Sequence, residues 1–157
     1  MSCITEVSEL IRQEIADGRI VGTSVIVAKN GVVIHEEHAG LADREMKKPV
    51  TEETIFRLSS LTKPIVSAAA LALIEKGILN FEDPVIRYLP DFRPKLASGE
   101  EPVVTLHHLL THTSGLMYGF LSPNNEPYAS AGISDGLDVV ELSLAENLRK
   151  LASVPLK

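Results

Sequence analysis

The dipeptide Asn30-Gly31 constrains the fold most directly, because it separates two β-branched runs, Thr23–Ala28 and Val32–Ile34. A type I′ turn needs positive φ at both central positions, which Asn and Gly tolerate, so this pattern predicts a tight β-hairpin. Before the hairpin, apolar residues recur at helical spacing and predict an amphipathic helix over residues 4–17. The first part of the chain is therefore expected to form a helix and an antiparallel pair of strands.

The rest of the chain is predicted to hold one further strand, followed only by helices and loops. The predicted elements are a polar connection over 40–53, a strand over 54–58, helices over 60–76, 84–88 and 106–111, a loop over 113–136 and a helix over 137–152. Pro64 lacks a backbone N–H, so we expect an irregular first turn in the helix that contains it. Asp83 and Thr105 are expected to cap the two short helices. The pattern indicates an α+β fold, with a sheet region over 1–58 and a helical region over 59–157.

Composition argues against several functional classes. The 157 residues, 45% of them hydrophobic, suit one globular domain. The 15 Lys and Arg against 21 Asp and Glu give a net charge of −6 without a basic cluster, so we expect neither nucleic acid nor a membrane as partner. An acidic N-terminal segment and the single cysteine, Cys3, predict a cytoplasmic protein. No closing element follows the last predicted helix, so we expect one piece of a longer polypeptide.

Two motifs could supply a nucleophilic serine. Ser60 and Lys63 form an S-x-x-K, which composition alone would produce about 0.7 times in this chain. Ser134 lies in a G-x-S-x-G over 132–136, expected by chance only about 0.05 times. A nucleophile elbow needs a buried strand before its serine and a histidine after it, yet all five histidines lie at or before His112. We therefore favour Ser60, and Ser134 is better explained by a turn that caps the last helix.

The spacing of Ser60 and Lys63 suits covalent catalysis. Residues i and i+3 share a helix face, so the hydroxyl and the amine can meet at hydrogen-bonding distance. Burial of Lys63 in an apolar helix face would disfavour its charged form, and a neutral amine can accept the serine proton. The Ser60 amide, near a helix N-terminus, could donate to an oxyanion. The alternative is an ordinary surface lysine near a helix start.

Three segments together resemble one enzyme superfamily. Residues 56–63 read F-R-L-S-S-L-T-K, residues 77–85 read G-I-L-N-F-E-D-P-V, and residues 105–116 read T-L-H-H-L-L-T-H-T-S-G-L. They resemble the active-site segment, the following link and the H-L-L-T-H-T-S-G-L signature of serine β-lactamases and penicillin-binding proteins. The likeness is greatest to class C β-lactamases and family VIII carboxylesterases, and it covers nearly the whole chain.

This resemblance implies a β-lactamase/transpeptidase-like α+β fold, with an antiparallel sheet flanked by helices and a mostly helical region. It also implies that Ser60 is the nucleophile and Lys63 the general base, without a metal or organic cofactor. The family's catalytic tyrosine is expected beyond residue 157; Tyr128 fits a Y-x-S pattern, but an ordinary loop tyrosine is the alternative. The K-T-G motif is absent. The C-terminal remainder of the polypeptide is therefore an expected partner.

The substrate is expected to be a small carboxylic ester, because no export signal accompanies the motifs. The alternatives are a β-lactam, a D-amino-acid peptide, or no substrate at all in an inactive relative that only binds. Three apolar side chains of the long loop are candidates to line the acyl pocket, namely Tyr118, Phe120 and Leu121. His108 and His112 have i, i+4 spacing, but no third ligand is evident, so a structural cap is preferred to a metal site.

Overall fold

The computed structural model describes residues 3–121, 124, 126–136 and 141–157. The chain forms two compact units, Met1–Arg57 and Leu58–Lys157. The α+β assignment is confirmed, with an antiparallel three-stranded sheet in the first unit and helices in both. Within the described ranges, no helix is long and apolar enough to cross a membrane.

The first unit consists of one helix and the sheet. Helix α1 spans Cys3–Ala16, strand β1 Gly22–Lys29, strand β2 Val32–Asp43 and strand β3 Lys48–Pro49, in the sheet order β1-β2-β3. The predicted hairpin is confirmed, since both turn residues have positive φ, 53° at Asn30 and 78° at Gly31. The predicted polar connection over 40–53 is wrong in its first part. Strand β2 continues to Asp43 because β3 supplies it with a second antiparallel partner.

Helix α1 is fastened to β2 by polar contacts as well as by packing. The Ser8 hydroxyl donates to Glu37 Oε2 at 2.6 Å, and Arg12 Nε lies 3.8 Å from Glu37 Oε1. Ile11, on the same helix, is buried. Side chains alternate along β2, and Glu37 lies on the side that faces α1. The polar contacts of α1 are therefore made to the same face of the sheet on which the helix packs.

The strand predicted over 54–58 is wrong. These residues have no regular secondary structure, and Ile55 is 96% exposed. A strand needs the backbone groups of a neighbour, and no strand of the described part of the chain pairs with this segment. The β-branched sequence is therefore not sufficient to form a strand here.

The second unit begins with the most apolar helix of the chain. A 3₁₀ turn at Ser59–Leu61 leads into helix α2, Thr62–Glu75, so the predicted irregular first turn is confirmed. Pro64 is the third residue of α2, where its missing N–H costs no helical hydrogen bond. Gly77 closes the helix with a φ of 69° and donates from its backbone N–H to Ile74 O at 2.9 Å.

All three of the later predicted helices are shorter in the structure. The segment 84–88 is a 3₁₀ turn over Val85–Arg87, because Pro84 is extended and Asp83 does not cap it. Helix α3, Leu106–Leu110, begins after Thr105, whose capping role is confirmed. Helix α4 spans Leu144–Ala152 and begins at a Ser143 capping box. The prediction that residues 141–143 belong to this helix is therefore wrong. Residues 137–140 of that prediction lie outside the described residues.

The core of the second unit includes the last residues of the chain. Val85, Phe92, Val104 and Leu156 form one buried apolar cluster. The Leu156 backbone N–H donates to Lys95 O at 2.8 Å, and Leu156 pairs with Leu96 in a parallel bridge. The sequence showed no closing element after the last helix, but the structure pairs this segment with residues 95 and 96 and packs it into the core.

Helix α2, in contrast, contributes no buried residue to the unit. Ile65 and Val66 are 60% and 61% exposed. A helix that is apolar on all sides is normally enclosed by other elements, since water contact with its side chains is unfavourable. This helix carries the candidate nucleophile motif, so its uncovered surface bears on the site described below.

Asp83 is the centre of a hydrogen-bond network beside the 3₁₀ turn. Its carboxylate accepts from Tyr88 Oη at 2.6 Å, Asn80 N at 2.8 Å and Arg87 Nη1 at 2.7 Å. The bond from Tyr88, followed by the one from Asn80, lowers the pKa of Asp83 below its ordinary 3.8. The same bond raises the pKa of Tyr88 above its ordinary 10.0. The folded state therefore favours ionised Asp83 and neutral Tyr88.

We expect this network to make stability depend on pH at both extremes. Asp83 stabilises the fold above its ordinary pKa, and that contribution is lost as the pH falls below about 4. Tyr88 stabilises the fold below its ordinary pKa, and that contribution is lost as the pH rises above about 10. In urea unfolding across the pH range, the free energy of unfolding of Asp83→Asn should fall less than that of the parent protein at acidic and at alkaline pH. Asp91→Asn should show the pH dependence of the parent protein. Equal pH dependence in Asp83→Asn and the parent would contradict this assignment.

Candidate active site

Ser60 and Lys63 are brought together at the start of α2. Ser60 is the middle residue of the 3₁₀ turn, and Lys63 is the second residue of the helix. Lys63 Nζ donates to Ser60 Oγ at 3.1 Å. The three-residue spacing places both side chains on one face, as the sequence predicted. A hydroxyl and an amine at this distance can exchange a proton directly.

The backbone is strained immediately before Ser60. Ser59 has a φ of 48°, in the left-handed region that residues with a Cβ rarely adopt. Such a conformation costs on the order of 1–3 kcal/mol and persists only where the surrounding structure requires it. Here it lies at the first residue of the 3₁₀ turn that leads into α2. Strain of this kind next to a serine supports a functional interpretation of Ser60.

Both members of the pair are exposed in this chain. The prediction that Lys63 is buried in an apolar helix face is therefore wrong for the described residues. The helix face is apolar as expected, but none of the residues of α2 is buried by the described part of the unit. Water can reach the amine, so desolvation of Lys63 does not arise from these residues.

A groove of about 540 Å³ runs beside Lys63, and Ser60 is not among its lining residues. It lies between α2, α3 and the segment 112–118. Lys63 and Ser59 line it together with apolar side chains that include Val66, Leu109 and Met117. A concave, mostly apolar site with a few polar groups at one end is typical of small-molecule binding.

Tyr118 is the aromatic residue of this groove. Its ring centroid lies 5.5 Å from Lys63 Nζ, within the range of a cation–π contact. The same ring stacks on Phe120, with centroids 4.9 Å apart and planes inclined by 24°. Phe120 and Leu121 are exposed and do not line the groove. Of the three predicted pocket residues, only Tyr118 is placed there.

Tyr128 has a packing role. Its side chain is only 5% exposed, and its hydroxyl oxygen accepts from the Met117 backbone N–H at 2.9 Å. It does not line the groove. The structure therefore favours the loop-tyrosine interpretation over a catalytic Y-x-S motif, and Tyr128 fixes the segment that carries Tyr118.

The histidines are explained by local structure. His108 Nδ1 accepts from the Thr105 backbone N–H at 3.1 Å, and Thr105 Oγ1 accepts from His108 N at 3.3 Å, which completes a capping box. His112 has a φ of 58° and lines the groove. Within the ranges given above, no three His, Cys, Asp or Glu side chains cluster closely enough to hold a metal ion. The His108–His112 pair therefore has no third ligand there.

Ser134 lacks the surroundings of a nucleophile elbow. Turns, and no strand, occupy the described residues 126–132 before it. Its backbone N–H donates to Asn147 Oδ1 at 2.9 Å, and Asn147 Nδ2 donates to Ser134 O at 2.8 Å. This reciprocal pair fastens the segment to α4. The preference for Ser60 over Ser134 is consistent with this geometry.

Comparison with known proteins identifies the family. A sequence model described as Beta-lactamase matches residues 7–157. The chain belongs to the beta-lactamase family. The esterase EstB of Burkholderia gladioli is 52% identical over 144 residues, which cover 92% of this chain and 37% of the esterase. The predicted resemblance is confirmed.

Solved structures give the same result for the fold. The chain resembles EstCE1, described as a hydrolase with promiscuous acyltransferase activity, with a TM-score of 0.90 and 45% identity over 97% of this chain and 40% of EstCE1. A class C beta-lactamase from Rhodobacter sphaeroides has a TM-score of 0.55 and 33% identity over 71% of this chain and 30% of its own. The chain thus spans about two fifths of the length of its esterase and hydrolase homologues.

Proposed function

We propose that this chain is the N-terminal part of a serine carboxylesterase that acts on small esters through an acyl-enzyme on Ser60, with Lys63 as general base. The observation that carries the proposal is the 3.1 Å contact between Lys63 Nζ and Ser60 Oγ. Homology to the esterase EstB and to the hydrolase EstCE1 supports the reaction class. The apolar groove beside Lys63 supports a small organic substrate.

In the proposed acylation, Ser60 and Lys63 act directly on the ester. Ser60 Oγ bonds to the carbonyl carbon while its proton passes to neutral Lys63 Nζ, and the carbonyl electron pair moves onto the oxygen. We assign the Ser60 backbone N–H as one donor to that oxyanion. Collapse of the adduct breaks the bond to the leaving alkoxide, which takes the proton from Lys63 and departs as the alcohol.

In the proposed deacylation, Lys63 again accepts and returns a proton, while water replaces Ser60 as the nucleophile and Ser60 becomes the leaving group. Water adds to the acyl carbon and gives a proton to Lys63 Nζ. Expulsion of Ser60 Oγ breaks the acyl-enzyme bond and releases the carboxylic acid, and the serine oxygen regains its proton from the lysine. Each turnover therefore consumes one ester and one water and restores the starting enzyme.

The C-terminal remainder of the polypeptide is proposed as the partner that completes the site. The uncovered apolar surface of α2 is the kind of surface that another element encloses, and enclosure would also desolvate Lys63. A tyrosine and a third motif from that remainder would share proton transfer and oxyanion binding, as the family resemblance implies. We therefore expect the full-length protein to be the active species.

The substrate class is tested by comparing three reporters on the full-length protein: p-nitrophenyl butyrate, the cephalosporin nitrocefin, and a peptide ending in D-Ala-D-Ala. We expect kcat/KM for the ester to exceed those for the other two by at least about tenfold. A larger kcat/KM for nitrocefin or for the peptide would favour a β-lactamase or a peptidase. Absence of turnover with all three would favour the inactive binding relative.

A further inference from the structure

Among the described residues that line the groove beside Lys63, one is aromatic and none carries a carboxylate. The amine lies 3.1 Å from Ser60 Oγ and 5.5 Å from the Tyr118 ring centroid. Among the described residues that line the groove, none is acidic, and the only other titratable side chains are His112 and Tyr118 itself. The remaining titratable groups of the bordering helices are Glu75 on α2 and His107 and His108 on α3, which do not line the groove. The ring is therefore the main electrostatic partner of the amine in this groove.

An aromatic ring affects a lysine in two ways. The negative face of the ring attracts an ammonium group, and the attraction strengthens when the pair is desolvated. An exposed lysine also has a flexible four-carbon stem, so a contact at its tip reduces the number of conformations in which the amine points away. Both effects favour the conformation in which Nζ meets Ser60 Oγ.

One contact is made by the Tyr118 ring itself, and a second holds the residue that precedes it. The ring stacks on Phe120, and the neighbouring Met117 amide is bound by the hydroxyl of buried Tyr128. The ring and the backbone before it are thus held by residues outside the Ser60 motif. A supported ring of this kind can fix a flexible side chain, whereas a mobile ring could not.

We infer that Tyr118 is a positioning residue for the general base: its ring holds Lys63 at Ser60 and stabilises the ammonium formed when the serine gives up its proton. The inference rests on the proposed function. Stabilisation of a charge that develops during acylation accelerates that step, because the interaction is stronger in the transition state than in the ground state. The same interaction favours the charged amine in the free enzyme.

These two consequences give an unusual kinetic signature. Removing the ring should lower the plateau value of kcat/KM, because the ammonium formed in acylation is less stable. It should also move the acidic limb of the pH profile to lower pH, because the neutral amine persists further into acid. A residue that only packs against the groove would lower the rate without moving the limb.

The test compares pH profiles of kcat/KM for ester hydrolysis by full-length Tyr118→Leu and Tyr118→Phe. For Tyr118→Leu we expect a plateau about 3- to 30-fold lower and an acidic limb about 0.5–1.5 pH units lower. Tyr118→Phe, which keeps the ring, should have a plateau value of kcat/KM and an acidic limb close to those of the parent enzyme. The inference would be overturned if the acidic limb did not move in Tyr118→Leu, or if Tyr118→Leu and Tyr118→Phe lowered the plateau and moved the limb equally. The same pH profiles are measured in a His112→Gln background. If the acidic limb disappears there, it reports the titration of His112 and not of Lys63, and the inference is overturned.

A second substitution covers the case in which Tyr118→Leu does not fold. Tetrafluorophenylalanine at position 118 keeps the shape of phenylalanine but weakens the negative face of the ring. We expect it to behave like Tyr118→Leu in both plateau and limb, whereas behaviour like Tyr118→Phe would overturn the inference. Lys63→Arg tests the proposed function separately from the role of Tyr118. An active Lys63→Arg enzyme would contradict the assignment of Lys63 as the general base, whereas an inactive one would support that assignment.

Discussion

Ser60→Ala is expected to reduce kcat for ester hydrolysis by about 10⁴-fold or more in the full-length protein. The substitution removes the oxygen that forms the covalent bond to the acyl group, and no other described side chain occupies that position. Lys63 Nζ would keep its place at the start of α2 but would have no hydroxyl to deprotonate. Steady-state rates with p-nitrophenyl butyrate, together with thermal unfolding to establish that the variant is folded, measure the effect.

Ser134→Ala is the matched control for that experiment. Ser134 lies in the competing motif, and its backbone rather than its hydroxyl makes the reciprocal contact with Asn147. We expect the variant to keep its esterase activity within about threefold. Loss of activity in Ser134→Ala with full activity in Ser60→Ala would reverse the assignment of the nucleophile.

Lys63→Arg is expected to lower kcat by about 10²–10⁴-fold, the usual contribution of a general base. Arginine keeps a positive charge at the position but stays protonated, so it can donate to Ser60 Oγ without accepting its proton. Lys63→Met should be at least as damaging, because it removes both the charge and the base. Burst kinetics with p-nitrophenyl butyrate would locate the defect in the acylation step.

Lys76→Arg provides the control for a lysine substitution on the same helix. Lys76 is the C-cap residue of α2, at the end remote from Ser60. Its replacement should leave kcat unchanged. If Lys63→Arg retained activity to within about tenfold, the lysine would act through its charge, and proton transfer in the proposed mechanism would have to be assigned to another group.

Sequence patterns predicted the parts of this structure that local chemistry determines. Asn30-Gly31 fixed the hairpin, because few other dipeptides tolerate two positive φ values in succession. The Ser60–Lys63 contact followed from helical periodicity alone. Thr105 was identified as a cap because its hydroxyl can accept a backbone N–H that the helix leaves unpaired.

The features that were missed depend on partners distant in sequence. The segment 54–58 has a strand-like composition but no neighbouring strand among the described residues. Leu156 packs into a core whose other members lie more than 50 residues earlier, and no spacing rule links them. The contact of Tyr118 with Lys63 spans 55 positions and depends on the groove between α2, α3 and the segment 112–118. The positive φ of Ser59 could not be predicted from the sequence, since serine is not a residue that favours positive φ.

The assignment of Ser60 as the nucleophile is tested most sharply by labelling the full-length protein with a fluorophosphonate, which phosphonylates activated serines. We expect one adduct per chain, located by mass spectrometry on the peptide that contains Ser60, and a much slower reaction in Lys63→Arg. An adduct on Ser134, or an unlabelled enzyme that still hydrolyses esters, would contradict this assignment.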